Sequence, residues 1–416
     1  MTPPLVLCDP PREPFWPLAA TRPVAELLAG TRTFRARWAA RAGPVQGLWC
    51  DREVHGCAFR TGDPGSSGPP LLNVWPEAGS DCRVALATWL PPAGWEFGDE
   101  PVEFRAAGAP VAWRLNGRDV PELSASESPG EVRSLLAALG LPVREVGGLF
   151  LDSIWSVVAG NPDLIAADAA EFPAGETVTG VDPVVLLGET PRVGADVSIG
   201  PFAVLDARQG PIVLDRGASI EPFTLLKGPL YVGPDSAVLG GTAGPGTSIG
   251  PSCKVRGEVE GSIFQGYDNK AHDGFVGHSV LGEWVNLGAG TITSDLKNTY
   301  GPVRVSGPAG RATTGLLKVG AFLGDHVKTG IGSLLTTGAR LGVGTHFFGG
   351  RAVSPAWLPD FTWHDGDGGS RAVRLDAFLR ASRAAMTRRG QALGGGEQAM
   401  LEALHRRASG VPARAS

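Results

Sequence analysis

LGETPRVGADVSIGPFAVL, residues 187–205, places an aliphatic residue at every sixth position: Leu187, Val193, Ile199 and Leu205. Gly188, Gly194 and Gly200 follow the first three. After a short insertion the period resumes with Leu214, Ile220, Leu226, Val232 and Val238. It returns at Ile249 and Val255, and again at Phe275, Leu281 and Leu287. A last run holds Leu317, Leu323, Thr329, Leu335, Leu341 and Phe347. Short fixed periods of this kind signal a β-solenoid. Six residues make one short strand and one turn, and three such units close a triangular coil. The periodic residue points inward and stacks on its equivalent one coil later. Glycine takes the turn conformations that other residues resist. Each coil then buries its core only against its neighbours. Ordinary β-hairpins are the alternative, and five separate runs sharing one period argue against them.

Composition agrees. Gly 60 and Pro 35 are high for a helical enzyme, yet 43% of the residues are hydrophobic. That mixture suits many short strands joined by tight turns rather than disorder. A net charge of −5 gives no basic footprint for nucleic acid. No apolar run approaches a membrane span. The start, MTPPLVLCDPPREPFWPL, is too broken by Pro and charge for a signal peptide. Cys8, Cys50, Cys57, Cys82 and Cys253 form no CxxC pair. This favours a reducing cytoplasm and offers no thiolate zinc site.

The chain divides into four stretches. Residues 1–150 read as a modest α/β domain, with a buried strand at 5–8. TRPVAELLAG, residues 21–30, carries Pro23 as a helix-start signal, so a helix to Gly30 is expected. Thr31 is the expected cap of a second helix in which Phe34 and Trp38 share a face. LLNVW (71–75) and RVALATWL (83–90) are short apolar runs. SPGEVRSLLAALG (128–140) reads as a helix capped by Ser128 and Gly140. Residues 151–180 form a helical connector, expected to break at Asn161-Pro162. Residues 181–350 are the solenoid. Residues 351–416 are a Pro/Trp-rich loop and two helices, expected to pack on the solenoid's end or side.

Within the solenoid, NKAHDGFVGHSVLGEWVNLGAGT (269–291) stands out. A polar loop with His272 interrupts the repeat, as an active-site insertion does. The segment resembles the acetyltransferase signature of the bifunctional N-acetylglucosamine-1-phosphate uridylyltransferase/glucosamine-1-phosphate N-acetyltransferases. That family carries a polar loop ending in a catalytic His, then an aromatic, Gly-Asp, and an Asn-Ile-Gly-Ala-Gly-Thr run. The matching positions are His272, Phe275, Gly277-His278 and Asn286–Thr291. The resemblance is closest to a divergent bacterial branch of sugar nucleotidyltransferases. It extends to TRPVAEL, NPDLIAADAAEF (161–172) and SDLKNTYG (294–301).

The resemblance implies a left-handed parallel β-helix behind a nucleotidyltransferase-like domain. It implies acetyl-CoA and a sugar 1-phosphate as substrates, nucleotide-sugar synthesis as the setting, and a homotrimer. It also implies His272 as general base, and an imidazole suits removal of a proton from an attacking amine. Lys270, Asn286, Asp295 and Lys297 are then candidates to hold the sugar and phosphate. Ala289, Gly290 and Thr291 are candidates for the pantetheine arm of coenzyme A. Exposed polar loop residues are the competing reading of those side chains.

Three departures stand out. Phe275 replaces a hydroxylated aromatic, His278 replaces Asp, and SDLKN replaces a Cys-Asn-Tyr-Asp segment. The acceptor therefore need not be glucosamine 1-phosphate. In the first domain, Asp9-Pro10-Pro11-Arg12 follows the strand where such enzymes carry a Gly-rich phosphate loop, and prolines lack the N–H that cradles phosphate. Either Arg12, Arg22 and Arg32 serve a remodelled nucleoside triphosphate site with Mg2+, or this domain is inactive. A solvated helix face is the plainer reading of Arg22, Arg32, Arg35 and Arg37. Gly62-Asp63-Pro64 is similar to a metal-binding Gly-Asp-x-Pro but lacks its spacer, so an ordinary turn is the expected reading. Two other readings stay open. One is a zinc enzyme like the left-handed-helix carbonic anhydrases, with His272, His278 and His326 as ligands. The other is a non-catalytic trimerising scaffold.

Overall fold

The computed structural model describes residues 2–57, 59, 69–76, 79–120, 128–172, 183–350 and 352–410. Gly62-Asp63-Pro64 lies outside them. The chain forms two compact units. The first comprises Met1–Phe15, Thr21–Leu27 and Arg32–Ser153; the second comprises Trp16–Ala20, Leu28–Thr31 and Ile154–Ser416.

The first unit is built on a mixed seven-stranded sheet. Leu5–Cys8 lies at its centre, parallel to Val45–Trp49 on one side and Cys82–Leu86 on the other. Its four residues are wholly buried, which suits an apolar run without alternation. The helix Phe34–Ala42 connects the first two of these strands, and its N-cap is Thr33 rather than Thr31. Phe34 and Trp38 are both on its buried face. The helix Pro129–Ala138 starts in a full capping box, Ser128 with Glu131. Two expectations change. TRPVAELLAG forms a three-residue 3-10 turn, Val24–Glu26, followed by the strand Leu28–Ala29. The buried Asp9 carboxylate takes the backbone N–H of Val24 and Ala25, which fixes this turn and stops a longer helix. LLNVW keeps only Leu71–Leu72 as strand, and RVALATWL splits at a turn before Trp89–Leu90.

The second unit is a parallel β-solenoid with three sides. One side stacks nine parallel strands, from Arg192–Val193 to Trp357–Leu358. The next side of each coil runs from Ser198–Ile199 to Thr362–His364. The third runs from Val185–Gly188 to Leu334–Leu335. Inward residues pair in register from coil to coil: Val193 with Leu214, Ile199 with Ile220, Leu205 with Leu226. They merge into one buried core reaching Leu341, Phe347 and Leu358.

The six-residue reading slips at three places. Leu186, not Leu187, pairs with Leu205, on the first described coil of the stack. Val276, not Phe275, enters the core, because the loop before it shifts the register by one. Leu317 is 53% exposed. It belongs to an excursion that carries the hairpin Arg304–Gly307 and Gly310–Thr313.

The helix Ile154–Glu171 belongs to this second unit and runs unbroken through Pro162. Asn161 explains its seat. Its Oδ1 accepts from Gly30 N at 2.6 Å, and its Nδ2 donates to Gly246 O and Ser248 Oγ, each at 2.9 Å. The connector expected at 151–180 is thus partly a helix packed on the solenoid. The C-terminal helices Leu375–Thr387 and Gly395–Ala408 close over one corner through Val343, Phe361, Phe378 and Leu401. No described helix is long and apolar enough to cross a membrane.

Candidate active site

His272 lies at the corner between the second and third sides, where residues 271–274 bulge between Asn269–Lys270 and Phe275–Gly277. The side chain is exposed, while the backbone around it is pinned. Lys270 Nζ donates to His272 O at 2.8 Å and to Arg256 O at 2.7 Å. Gly290 N donates to Asp273 O at 3.0 Å, tying the loop to the next coil. Arg256 Nε donates to the Asp273 carboxylate at 3.0 Å.

Lys270 is the main correction. It does not face outward as a sugar-binding group. It is paired in register with the core residue Val255 and is 2% exposed, with its ammonium spent on two carbonyls. Burial lowers its pKa to about 8, against a smaller upward pull from Asp273. A charged group at an inward position explains why the repeat opens into a loop here.

Asn286 faces outward one coil above. It bridges Asn269 on one side and Lys328 on the other, and its Oδ1 accepts from Asn269 Nδ2 at 2.9 Å. The corner above His272 is Gly288-Ala289-Gly290-Thr291. A Cβ on Gly288 would lie 2.4 Å from Gly330 O, so only glycine allows this coil spacing. Gly290 has φ 71°, the left-handed turn. Thr329 Oγ1 accepts from Gly288 N at 3.0 Å and lies 2.8 Å from Thr291 Oγ1. The corner is thus small, rigid and rich in backbone groups, directly beside an exposed imidazole.

Asp295 and Lys297 lie elsewhere. Asp295 Oδ2 is 2.7 Å from His278 Nδ1, at the opposite end of the third side. Burial pushes the Asp295 carboxyl up, but His278 and then Lys318 outweigh it and hold its pKa below the usual value. His278 is at positive φ, 46°. Lys297 Nζ donates to Pro302 O inside the excursion. The three histidines of the zinc reading are likewise apart. His326 is buried between Trp284 and Phe378, at the third corner. Among the described residues no group of three or more His, Cys, Asp or Glu gathers in one place.

In the first unit, Arg12 is paired with Asp51 at 3.3 Å and Glu53 at 2.8 Å, and Arg22 and Arg32 are buried. Both Asp9 oxygens accept backbone N–H groups at 2.8 and 2.9 Å. Burial raises the Asp9 pKa to about 7. A carboxylate so engaged, beside an Asp51 held by Arg12, does not fit a Mg2+ ion, which needs free oxygen ligands.

Sequence reading missed a ladder of ring side chains at the corner between the first and second sides. Tyr267 stacks on Trp284 at 4.3 Å, Trp284 on His326 at 6.4 Å, and Phe378 meets both His326 and Phe361. Each ladder residue follows an inward residue of the first side by three: Phe264, Leu281, Leu323 and Leu358. That regular offset was the available signal.

Comparison with known proteins agrees with the solenoid motif. The bifunctional sugar-1-phosphate nucleotidylyltransferase/acetyltransferase of Sulfurisphaera tokodaii is 35% identical over 97 residues, 23% of this chain and 24% of that protein. The bifunctional protein GlmU of Synechococcus elongatus is 29% identical over 184 residues, 40% of this chain and 36% of that one. The chain resembles GlmU-type bifunctional enzymes. The matches span only about a quarter and a little over a third of these two relatives' own lengths. No family model matches the chain. A solved hexapeptide transferase family protein from Anaplasma phagocytophilum covers 56% of this chain and 90% of its own, at 15% identity and TM-score 0.17. That likeness is too slight to bear on function.

Proposed function

We propose that the chain is a hexapeptide-repeat acyltransferase that moves an acetyl group from acetyl-CoA to the amine of a hexosamine 1-phosphate. The observation that carries this reading is the corner itself: an exposed His272 on a pinned loop beside the glycine-lined segment Gly288–Thr291. The GlmU-type relatives support the substrate class. The acceptor amine attacks the thioester carbonyl and the C–S bond breaks, releasing coenzyme A as thiol. His272 takes the proton the amine must lose. Asn286 orients the sugar through its amide. Backbone N–H groups along Ala289–Thr291 receive the pantetheine arm. Asp295 and Lys297 act on the acceptor only across a subunit boundary, since they do not share the His272 corner.

A closed homotrimer supplies that boundary. Exposed apolar side chains on the same corner support it: Phe202 stacks on Phe223, which is 74% exposed, and Ile331 is 80% exposed. The scattered, unpaired cysteines fit a cytoplasmic setting. The first unit contributes weak or no nucleotidyl transfer, because Asp9 occupies the backbone donors of its own turn. The test is a screen of sugar 1-phosphates, with acetyl-CoA and separately with nucleoside triphosphates. Thiol release with a hexosamine 1-phosphate and little pyrophosphate is expected. Robust pyrophosphate release without thiol would overturn the assignment.

A further inference from the structure

The outward column of the second side continues past Asn286 to Lys328, His346 and Trp363, each paired in register with the last. Adjacent coils in such a stack are about 4.8 Å apart. Lys328 and His346 thus present their side chains from neighbouring rungs, flanked inward by Thr329 and Phe347. His346 is walled by two rings, Phe348 at 6.2 Å and Trp363 at 5.3 Å, which themselves stack at 4.7 Å. The Arg371 guanidinium lies 4.8 Å over the Trp363 ring.

This cluster is unsatisfied. Both ring nitrogens of His346, Nδ1 and Nε2, are shut off from solvent with no hydrogen-bond partner among the described residues. Buried polar atoms are almost always paired, so an imidazole with neither nitrogen engaged signals a missing partner. The backbone N–H of Lys328 donates to Thr345 O at 3.0 Å, while its ammonium has no ion pair or hydrogen bond among the described residues. Burial alone lowers its pKa. Burial first, and then the Lys328 charge, lowers that of His346 to about 4. Two cationic or donor groups desolvated side by side, with no acid between them, are complementary to an acceptor of negative charge.

We propose that Lys328 and His346 form a binding site for one anionic group, a phosphate or a carboxylate, with Phe348 and Trp363 as its walls. The group bridges the Lys328 ammonium and a His346 N–H. The site lies on the outward column of Asn286, one and two coils beyond it. The inference rests on the acyltransfer reading only for the source of the anion: the acceptor's phosphate or a phosphate of the acyl donor.

The test uses the full chain with 15N-labelled histidine, the His346 signal being assigned by His346→Asn. Inorganic phosphate and succinate are titrated separately. Saturable movement of the His346 signal by at least one is expected, with its pKa rising toward the ordinary value as the anion binds. Lys328→Met weakens that binding about tenfold or more, and Lys328→Arg restores most of it. Unchanged circular dichroism shows the variants are folded. No saturable shift with either anion, or equal affinity in wild type and Lys328→Met, overturns the proposal. Glucosamine 1-phosphate and coenzyme A are then compared, and the one that moves the His346 signal is the source. Phosphate binding without acetyl transfer leaves the anion site and removes the acyltransfer reading. Acetyl transfer without any anion shift does the reverse.

Discussion

Two corners of the solenoid are made from the same repeat and given opposite chemistry. In the later coils the corner between the first and second sides is lined by rings, where earlier coils carry Asp196, Gly217, Asp235 and Ser252. Tyr267, Trp284, His326 and Phe361 take φ of 59°, 65°, 61° and 53°, a region non-glycine residues avoid. Tyr267, Trp284 and His326 stack along the axis, and Phe378 of the helix Leu375–Thr387 packs edge-on against His326 and Phe361. The corner between the second and third sides is kept small by Gly288, Ala289 and Gly290. It opens into the loop that carries His272. Ring stacking and helix burial compensate the backbone strain at the first. At the second, the coil next to His272 carries only small side chains, which leaves backbone groups and one imidazole accessible. A solenoid supplies a rigid edge three times per coil, and in this one a ring-lined edge differs from a glycine-lined edge with an exposed imidazole; the proposal is that the second serves chemistry.

The sharpest way to break that division is through the core both corners share. Leu287 is 2% exposed and stacks inward beside Asn286. Leu287→Asp buries an unpaired carboxylate and is expected to cost several kcal/mol or abolish folding. Unchanged thermal melting would mean the register described here is wrong. Next comes the ring corner. Trp284→Ala removes a ring packed between Tyr267 and His326 and is expected to destabilise by about 3–5 kcal/mol in chemical denaturation. Its turnover, measured well below the melting point, stays near wild type.

Gly288→Ala is expected to cost about 1–3 kcal/mol, because its Cβ meets the Gly330 carbonyl rather than a flexible side chain. It also disturbs the corner, so the Michaelis constant for acetyl-CoA rises. A variant with normal stability and kinetics would show that the coils are not held at this spacing. Lys270 gives a pH signature. Its folded pKa, about 8, lies below the ordinary 10.5. The unfolded chain therefore binds the extra proton between those values, and stability rises with pH across that window. Lys270→Met should flatten that rise in pH-dependent denaturation. A rise of the same size in the variant would assign it to another group. The smallest effect is expected from His278→Ala, which leaves acetyl transfer within about threefold of wild type, a shift of under about 1 kcal/mol in barrier. A large loss there would move the base to the His278–Asp295 pair.

The solenoid was legible because an inward aliphatic every six residues reports burial directly. Ile220, Val238 and Leu341 are all core residues. The period failed where polar insertions interrupt it. Lys270 occupies an inward position that no hydrophobic count detects, and it shifts Phe275 outward and Val276 inward. Leu317 kept the spacing by coincidence inside the excursion. In the first unit, the helix signals of TRPVAELLAG were overridden by a tertiary contact, the Asp9 carboxylate, which local propensity does not contain. His272 was legible only through the motif around it. The ring ladder left only its offset of three from the inward residues as a signal, and the Lys328–His346 pair left none, because it is a column that exists only once coils stack.

The central claim is that the glycine corner does chemistry and the ring corner does not. The direct measurement is the kcat of acetyl transfer from acetyl-CoA to glucosamine 1-phosphate for wild type and His272→Ala, with melting temperature and coenzyme A binding taken on the same samples. The account predicts a fall in kcat of about 10²–10⁴-fold with melting and coenzyme A affinity nearly unchanged. Wild-type turnover in His272→Ala, or a loss that only tracks a lowered melting temperature, would contradict it.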